Sequence, residues 1–198
     1  MDLIFLLAIS GALWVQSWYL LGFYPNPRTL GVMAAGVAIV LLAVVIFPVA
    51  PIVQTPAPGV NEFFVDVPTA LSAFILMWVV YEAMVAGVYL WGLDTRSLGF
   101  YSLILWIGSG VFAVYMFLGG EVLGSGVVEP VSWLLGTAGI LLGIQSALLF
   151  FYLALQPAGA GEPPASTMRT VTGWFYLVFS VVIMTLAGLL VLGLQPSF

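Results

Sequence analysis

The 198-residue chain has no cysteine and no histidine, and its only basic residues are three arginines. Without Cys there is no disulfide or thiolate chemistry, and without His there is no imidazole base. Together the two absences remove the ligands that usually hold zinc, copper or haem. Most redox and hydrolytic mechanisms fall away, so neither an enzyme, nor a metal site, nor a cofactor is expected. Eight acids against three arginines give a net charge of −5. That balance excludes a basic footprint for nucleic acid and a polybasic lipid-binding segment.

What is present is apolar. Hydrophobic residues make up 63% of the chain and charged residues 6%, and the mean hydropathy is +1.22. A water-soluble domain of this size has no interior large enough to hide that surface, so the composition predicts an integral membrane protein in contact with lipid. The opening "MDLIFLLAIS" carries no Lys or Arg and runs on apolar past Tyr19. It reads as a first permanent span, not a cleavable signal.

Runs of roughly 20 apolar residues, the length that crosses a bilayer, occupy about 3–24, 29–50, 68–91, 98–118, 131–155 and 170–194. The expectation is an all-α polytopic protein, a single six-span domain over 1–198. The connections "PNPR", "PIVQTPAPGVNEFFVDV", "GLDTRS", "GGEVLGSGVVEP" and "QPAGAGEPPASTM" are rich in residues that stop helices. A β-barrel would alternate in short segments instead.

Arg28, Arg96 and Arg169 fall in or beside the first, third and fifth connections, on one side of a six-span chain. The positive-inside rule makes that side the cytoplasm and leaves both termini outside. The arginines also mark an internal repeat. "RTLG" at 28–31 recurs as "RSLG" at 96–99 and loosely as "RTVTG" at 169–173, and "YLLG" at 19–22 matches "YLWG" at 89–92 and, more faintly, "YLAL" at 152–155. The chain therefore reads as three repeated helical hairpins. The plainer account is that any inner loop attracts Arg and Gly.

The second, fourth and sixth spans hold only scattered Ser, Thr and Tyr, such as Ser102, Ser109, Ser180 and Thr185, whose hydroxyls can bond within their own helix. The first, third and fifth carry Gln16, Glu82 and Gln145. Large polar heads of this kind are costly in hydrocarbon and must face protein or water. Gln16 and Glu82 precede the inner arginine of their hairpins by twelve and fourteen residues, and Gln145 precedes Gln156 by eleven. Allowing for loop residues, each is expected about 12–15 Å from the inner boundary. One polar group per hairpin at one depth suggests three hairpins around a central pore.

Around Glu82, the residues Trp78, Tyr81, Val85 and Tyr89 share one helical stripe, and the fifth span offers Trp133, Thr137, Ile140, Gln145, Leu148 and Tyr152. An aromatic and aliphatic tube with a few amides, hydroxyls and one acid suits small, flat, neutral, polar solutes better than ions. The expected pore-lining set is Gln16, Trp78, Tyr81, Glu82, Trp133, Thr137, Ile140 and Gln145. The alternative is that the glutamines are interhelical glue, worth about 0.6 kcal/mol each, and that the aromatics form interfacial belts. Glu82 favours the pore, because an acid within a span is a functional candidate by default. No base lies in any span, so Glu82 is expected to be protonated or wetted by the pore, as a hydrogen-bonding wall group.

The segment "GLDTRSLGFYSL" at 92–103 resembles the inner loop of the AmiS/UreI family, the bacterial urea channels and short-chain amide transporters. There a Gly-Leu-Asp-x-Arg run is followed by an aromatic and Tyr-Ser-Leu. "QSWYLLGFYPNPRTLGVM" is more weakly similar to the family's first hairpin, and Trp133 to the first of several tryptophans on its fifth helix. The resemblance implies a homohexamer in the bacterial inner membrane, each protomer passing urea or short aliphatic amides downhill. It implies pore-lining roles for Trp78, Tyr81, Glu82, Gln16 and Trp133. This chain departs from the pattern at Thr137, Ile140 and Ile144, where the family has more tryptophans, and at Glu82, where it usually has a pore tyrosine. The acid-opened members use histidines and carboxylates of the outer loops, and a chain without histidine is not expected to be acid-gated through histidine.

The expected function is thus a passive channel for small neutral polar solutes. Two rivals stand beside it. One is a proton-coupled carrier in which Glu82 cycles its proton. The other is a non-conducting structural subunit of a larger membrane complex, in which small residues such as Gly139 and Gly143 form packing faces.

Overall fold

The computed structural model describes residues 2–23, 26–47, 67–122, 132–155 and 167–192. These form α1 (Asp2–Leu20), α2 (Pro27–Ile46), α3 (Val67–Trp91), α4 (Thr95–Val122), α5 (Trp133–Leu153) and α6 (Thr167–Val191). All six are long and apolar enough to cross a membrane, and each of the six expected spans is a helix. The architecture is that of a helical, multi-pass membrane protein.

The helix ends follow local chemistry. Gly22 and Gly92 adopt φ of 84° and 71°, a left-handed conformation that terminates α1 and α3 and that glycine takes without strain. These are the glycines of "YLLG" and "YLWG", so the repeat marks a stop signal. It ends α1 at Leu20, short of the expected boundary near 24. α2 and α4 start on matching caps. Asn26 Oδ1 accepts from Arg28 N at 3.0 Å and Asp94 Oδ1 accepts from Arg96 N at 2.9 Å, each satisfying a donor left over at a helix start. Pro27 in the first turn of α2 costs nothing, since its missing N–H is not needed there.

The helices close into a ring in chain order. α2 packs closely on α3, α4 on α5 and α6 on α1, whereas α1 and α2, α3 and α4, and α5 and α6 touch more loosely. Tight packing therefore joins each even helix to the odd helix after it, α6 meeting α1, and not to the odd helix before it. Glycines create it. A methyl group on Gly31 would come within 2.7 Å of Leu90 Cγ, one on Gly99 would strike the backbone nitrogen of Ala154, and one on Gly173 would come within 3.0 Å of Leu21. In each case the first turns of an even helix cross the C-terminal end of an odd helix. The even helices thus start where the odd ones finish, and the three arginines gather at one end of the bundle. There Arg169 donates from Nε to Leu20 O and from Nη2 to Tyr19 O, both at 3.0 Å. Its guanidinium lies 5.5 Å from the Tyr19 ring. It satisfies orphan carbonyls at the end of α1, where the helix dipole also favours a cation.

Burial separates the two sets of helices. Within their most apolar stretches α1, α3 and α5 bury 56%, 61% and 56% of residues, against 33% each for α2, α4 and α6. The odd helices form the inside and the even ones the outer wall. The Gly139 and Gly143 pair is already occupied within the chain, by Ala113 and Phe112 and by Ser109 and Trp106 of α4.

Candidate functional site

All three large polar groups of the odd helices are buried at the centre: Gln16, Glu82 and Gln145. Gln16 Nε2 donates to both carboxyl oxygens of Glu82, at 3.0 and 3.1 Å. The Tyr81 hydroxyl donates to Gln16 Oε1 at 3.1 Å, and the Tyr176 hydroxyl of α6 lies 3.3 Å from that of Tyr81. Since Tyr81 commits its one proton to Gln16, it accepts from Tyr176. The result is a directional chain, Tyr176 to Tyr81 to Gln16 to Glu82, which joins α6, α3 and α1. No arginine takes part in it. Trp78 packs edge-on against Tyr81, with ring centroids 5.2 Å apart. Its Nε1 is buried without a hydrogen-bond partner among the described residues.

Gln145 stands outside this chain. It is fully buried beside the Tyr176 hydroxyl, yet neither its Nε2 nor its Oε1 makes a hydrogen bond among the described residues. Leaving a buried polar atom unpaired costs about 1–3 kcal/mol.

Toward the arginine end the network roofs a cavity of about 20 Å³, room for about one water molecule. Its wall includes Gln16, Tyr81 and Tyr176 above, then Val85 and Leu149, and below them Tyr19, Tyr89 and Tyr152. The last three are the tyrosines of the three "YL" repeats, and the rings of Tyr19 and Tyr89 meet edge-on at 5.0 Å. Toward the opposite end Phe74 of α3 stacks on Phe112 of α4 at 4.0 Å, and Phe5 of α1 meets Phe74 edge-on at 5.6 Å. The centre is therefore closed in this conformation by the polar network at one level and by packed aromatics at another.

The expected stripe on α3 holds together: Trp78, Tyr81, Glu82 and Val85 are buried, and Tyr89 is partly so. The stripe on α5 does not. Ile140 is 46% exposed on the outer face with Ile144 and Phe151, and Trp133 and Thr137 are half-buried at that helix's start. Ile140 and Gln145 are five residues apart, about 140° around the helix, and cannot share a face. The inward face of α5 is Ala138, Leu142, Gln145, Leu149 and Tyr152, all buried.

The common depth also needs correction. Glu82 and Gln145 lie nine and eight residues before the ends of α3 and α5, but Gln16 lies only four before the end of α1. That puts Gln16 about a turn nearer the arginine end. Counting back from Arg28 hid this, because the first connection is longer than the third. Gln16 nonetheless reaches Glu82, its Nε2 lying 3.0 and 3.1 Å from the two carboxyl oxygens.

Tyr176 is the member that span-by-span reading missed. It lies on an even helix, yet Gly173, Tyr176, Ser180, Ile183 and Ala187 form a buried stripe at three- and four-residue spacing. A buried tyrosine hydroxyl normally finds a partner.

No known protein family, curated protein or solved structure matches the chain.

Proposed function

We propose that the chain is a passive membrane channel for small neutral polar solutes, urea and short aliphatic amides foremost, formed by three repeated hairpins around a central path. One observation carries the reading. Tyr176, Tyr81, Gln16, Glu82 and Gln145 converge from four helices on the buried centre of the bundle. Cohesion between neighbouring helices would need only pairs of such groups, and membrane hydrogen bonds contribute little each, about 0.6 kcal/mol. The three arginines sit in the first turns of α2, α4 and α6 at one end, and none joins the central network, which favours a neutral solute over an anion.

The repeat supports the threefold plan. Gly31, Gly99 and Gly173 each occupy the same kind of crossing, and Tyr19, Tyr89 and Tyr152 line the same cavity. The resemblance of residues 78–103 to the AmiS/UreI family supports the solute class, a homohexamer and a bacterial inner membrane. The gathering of the arginines at one end supports a cytoplasmic location for that end, with both termini outside. Cysteines at Thr29 and Thr170, both exposed near the arginines, should stay unlabelled by impermeant thiol reagents in intact cells. Labelling there would reverse the orientation.

Because the centre is closed, passage requires the Tyr81 and Tyr176 side chains and the Phe5, Phe74 and Phe112 cluster to move. That closure favours one second reading, a proton-coupled carrier that opens alternately around Glu82. The structural-subunit reading loses its main feature, since Gly139 and Gly143 are covered by α4.

Stopped-flow measurements on proteoliposomes separate the readings. A channel raises urea, acetamide and formamide flux above bare lipid without a proton gradient. A carrier moves protons with the solute. A structural subunit leaves every flux at the lipid value.

A further inference from the structure

Gln16 and Gln145 carry the same carboxamide, but only that of Gln16 is tied up in formed hydrogen bonds; that of Gln145 interacts with the Tyr176 hydroxyl without completing one. The Gln16 Nε2 is taken by both oxygens of Glu82 and its Oε1 by Tyr81. Gln145 is the one described residue with two buried side-chain polar atoms lacking a partner. Its immediate surroundings on α5 supply none, since Leu142 and Leu149 flank it on the same face and Ser146 bonds to Leu142 O at 2.8 Å.

The position lies along the proposed path. Leu149 and Tyr152 line the cavity below the network, and Gln145 stands one turn beyond Leu149 on that inward face. Tyr152 follows Gln145 by seven residues, just as Tyr89 follows Glu82, so this amide lies level with the acid and beside Tyr176.

We infer that Gln145 is the specificity-determining residue of this path, pairing with the passing solute through a carbonyl oxygen and an adjacent syn N–H. The inference rests on the channel reading. A carboxamide shows its oxygen and one N–H side by side in a single plane, so a solute presenting the same edge closes two hydrogen bonds at once. Urea and primary amides present it. A polyol does not, and neither does a secondary amide, whose trans geometry turns N–H away from C=O.

Propionamide and N-methylacetamide test this, because they are isomers of equal formula and only propionamide has the syn edge. In wild-type proteoliposomes, after subtraction of protein-free liposomes, propionamide flux should exceed that of N-methylacetamide by about fivefold, the scale of one or two net hydrogen bonds. In Gln145→Met, which keeps length and apolar fit, the ratio should fall to about one while glycerol flux changes less than about twofold, since only that pairing is removed. Equal passage of the two isomers through wild type overturns the role of Gln145 even if the variant does not assemble. So does an unchanged ratio in an assembled Gln145→Met. A wild type that raises no solute flux, urea and glycerol included, fails the channel reading instead.

Discussion

Gln16 and Glu82, on α1 and α3, are tied by a single amide nitrogen that reaches both carboxyl oxygens at 3.0 and 3.1 Å, in a site without a cation. The pair gives the acid in the third span a concrete role. It holds Gln16 in the orientation that lets Tyr81 donate to Oε1, and through Tyr81 it fixes Tyr176. The buried carboxyl pins Gln16 and meets no arginine among the described residues.

Replacing it should distinguish shape from proton exchange. Glu82→Gln keeps an acceptor for Gln16 and is expected to assemble normally and retain most of the flux. Glu82→Leu strands the Gln16 amide nitrogen, costs about 1–3 kcal/mol, and should lower both melting temperature in detergent and solute flux. An assembled but inactive Gln variant would make a titrating proton essential and shift the reading to the carrier.

The glycine crossings predict an order of sensitivity. At Gly99 an added methyl meets the backbone of Ala154, which cannot step aside, whereas at Gly173 its nearest neighbours are Cγ and Cδ2 of Leu21 at 3.0 Å, with Leu20 Cβ at 3.1 Å. At Gly36 nothing lies within 4 Å. Gly99→Ala should therefore cost the most, about 1–3 kcal/mol for overpacking. Gly173→Ala should cost less, and Gly36→Ala should be neutral or stabilising by up to about 1 kcal/mol from helix propensity. Thermal unfolding in detergent ranks the three, and a Gly36 variant as damaged as Gly99 would disprove the packing account.

These crossings show why part of the fold was legible in the sequence. Span number, approximate limits and the inward burial of Gln16, Glu82 and Gln145 follow from hydropathy and from the cost of burying polar groups in hydrocarbon. The "RTLG" and "YLLG" repeats flagged both the helix stops at Gly22 and Gly92 and the contact glycines. What failed was helical phase and depth. Ile140 and Gln145, five residues apart, face different sides of α5, and the longer first connection shifts Gln16 by a turn. Tyr176 escaped because polarity was judged helix by helix, while its partner lies 95 residues away on α3. Of the acids expected in the outer connections, Glu62, Asp66, Glu121 and Glu129, Glu121 falls in the last turn of α4 and the other three lie outside the described residues.

The lack of histidine predicts the response to acid. It is the only side chain whose ordinary pKa makes it change charge between pH 5 and 8, and the chain has none. Carboxyls in water titrate near pH 4, so those of the outer connections should be ionised over nearly all of that range. Glu82 is sealed beneath Gln16 and fully buried, and changing its charge would mean breaking the network that pins Tyr81. Solute flux through proteoliposomes should accordingly vary by less than about twofold between pH 5 and 8. A several-fold opening as the external pH falls from 7 to 5.5 would contradict this. It would place a coupled carboxyl cluster on the outer face if Glu82→Gln still opened, and at the Glu82 network if that variant lost the response.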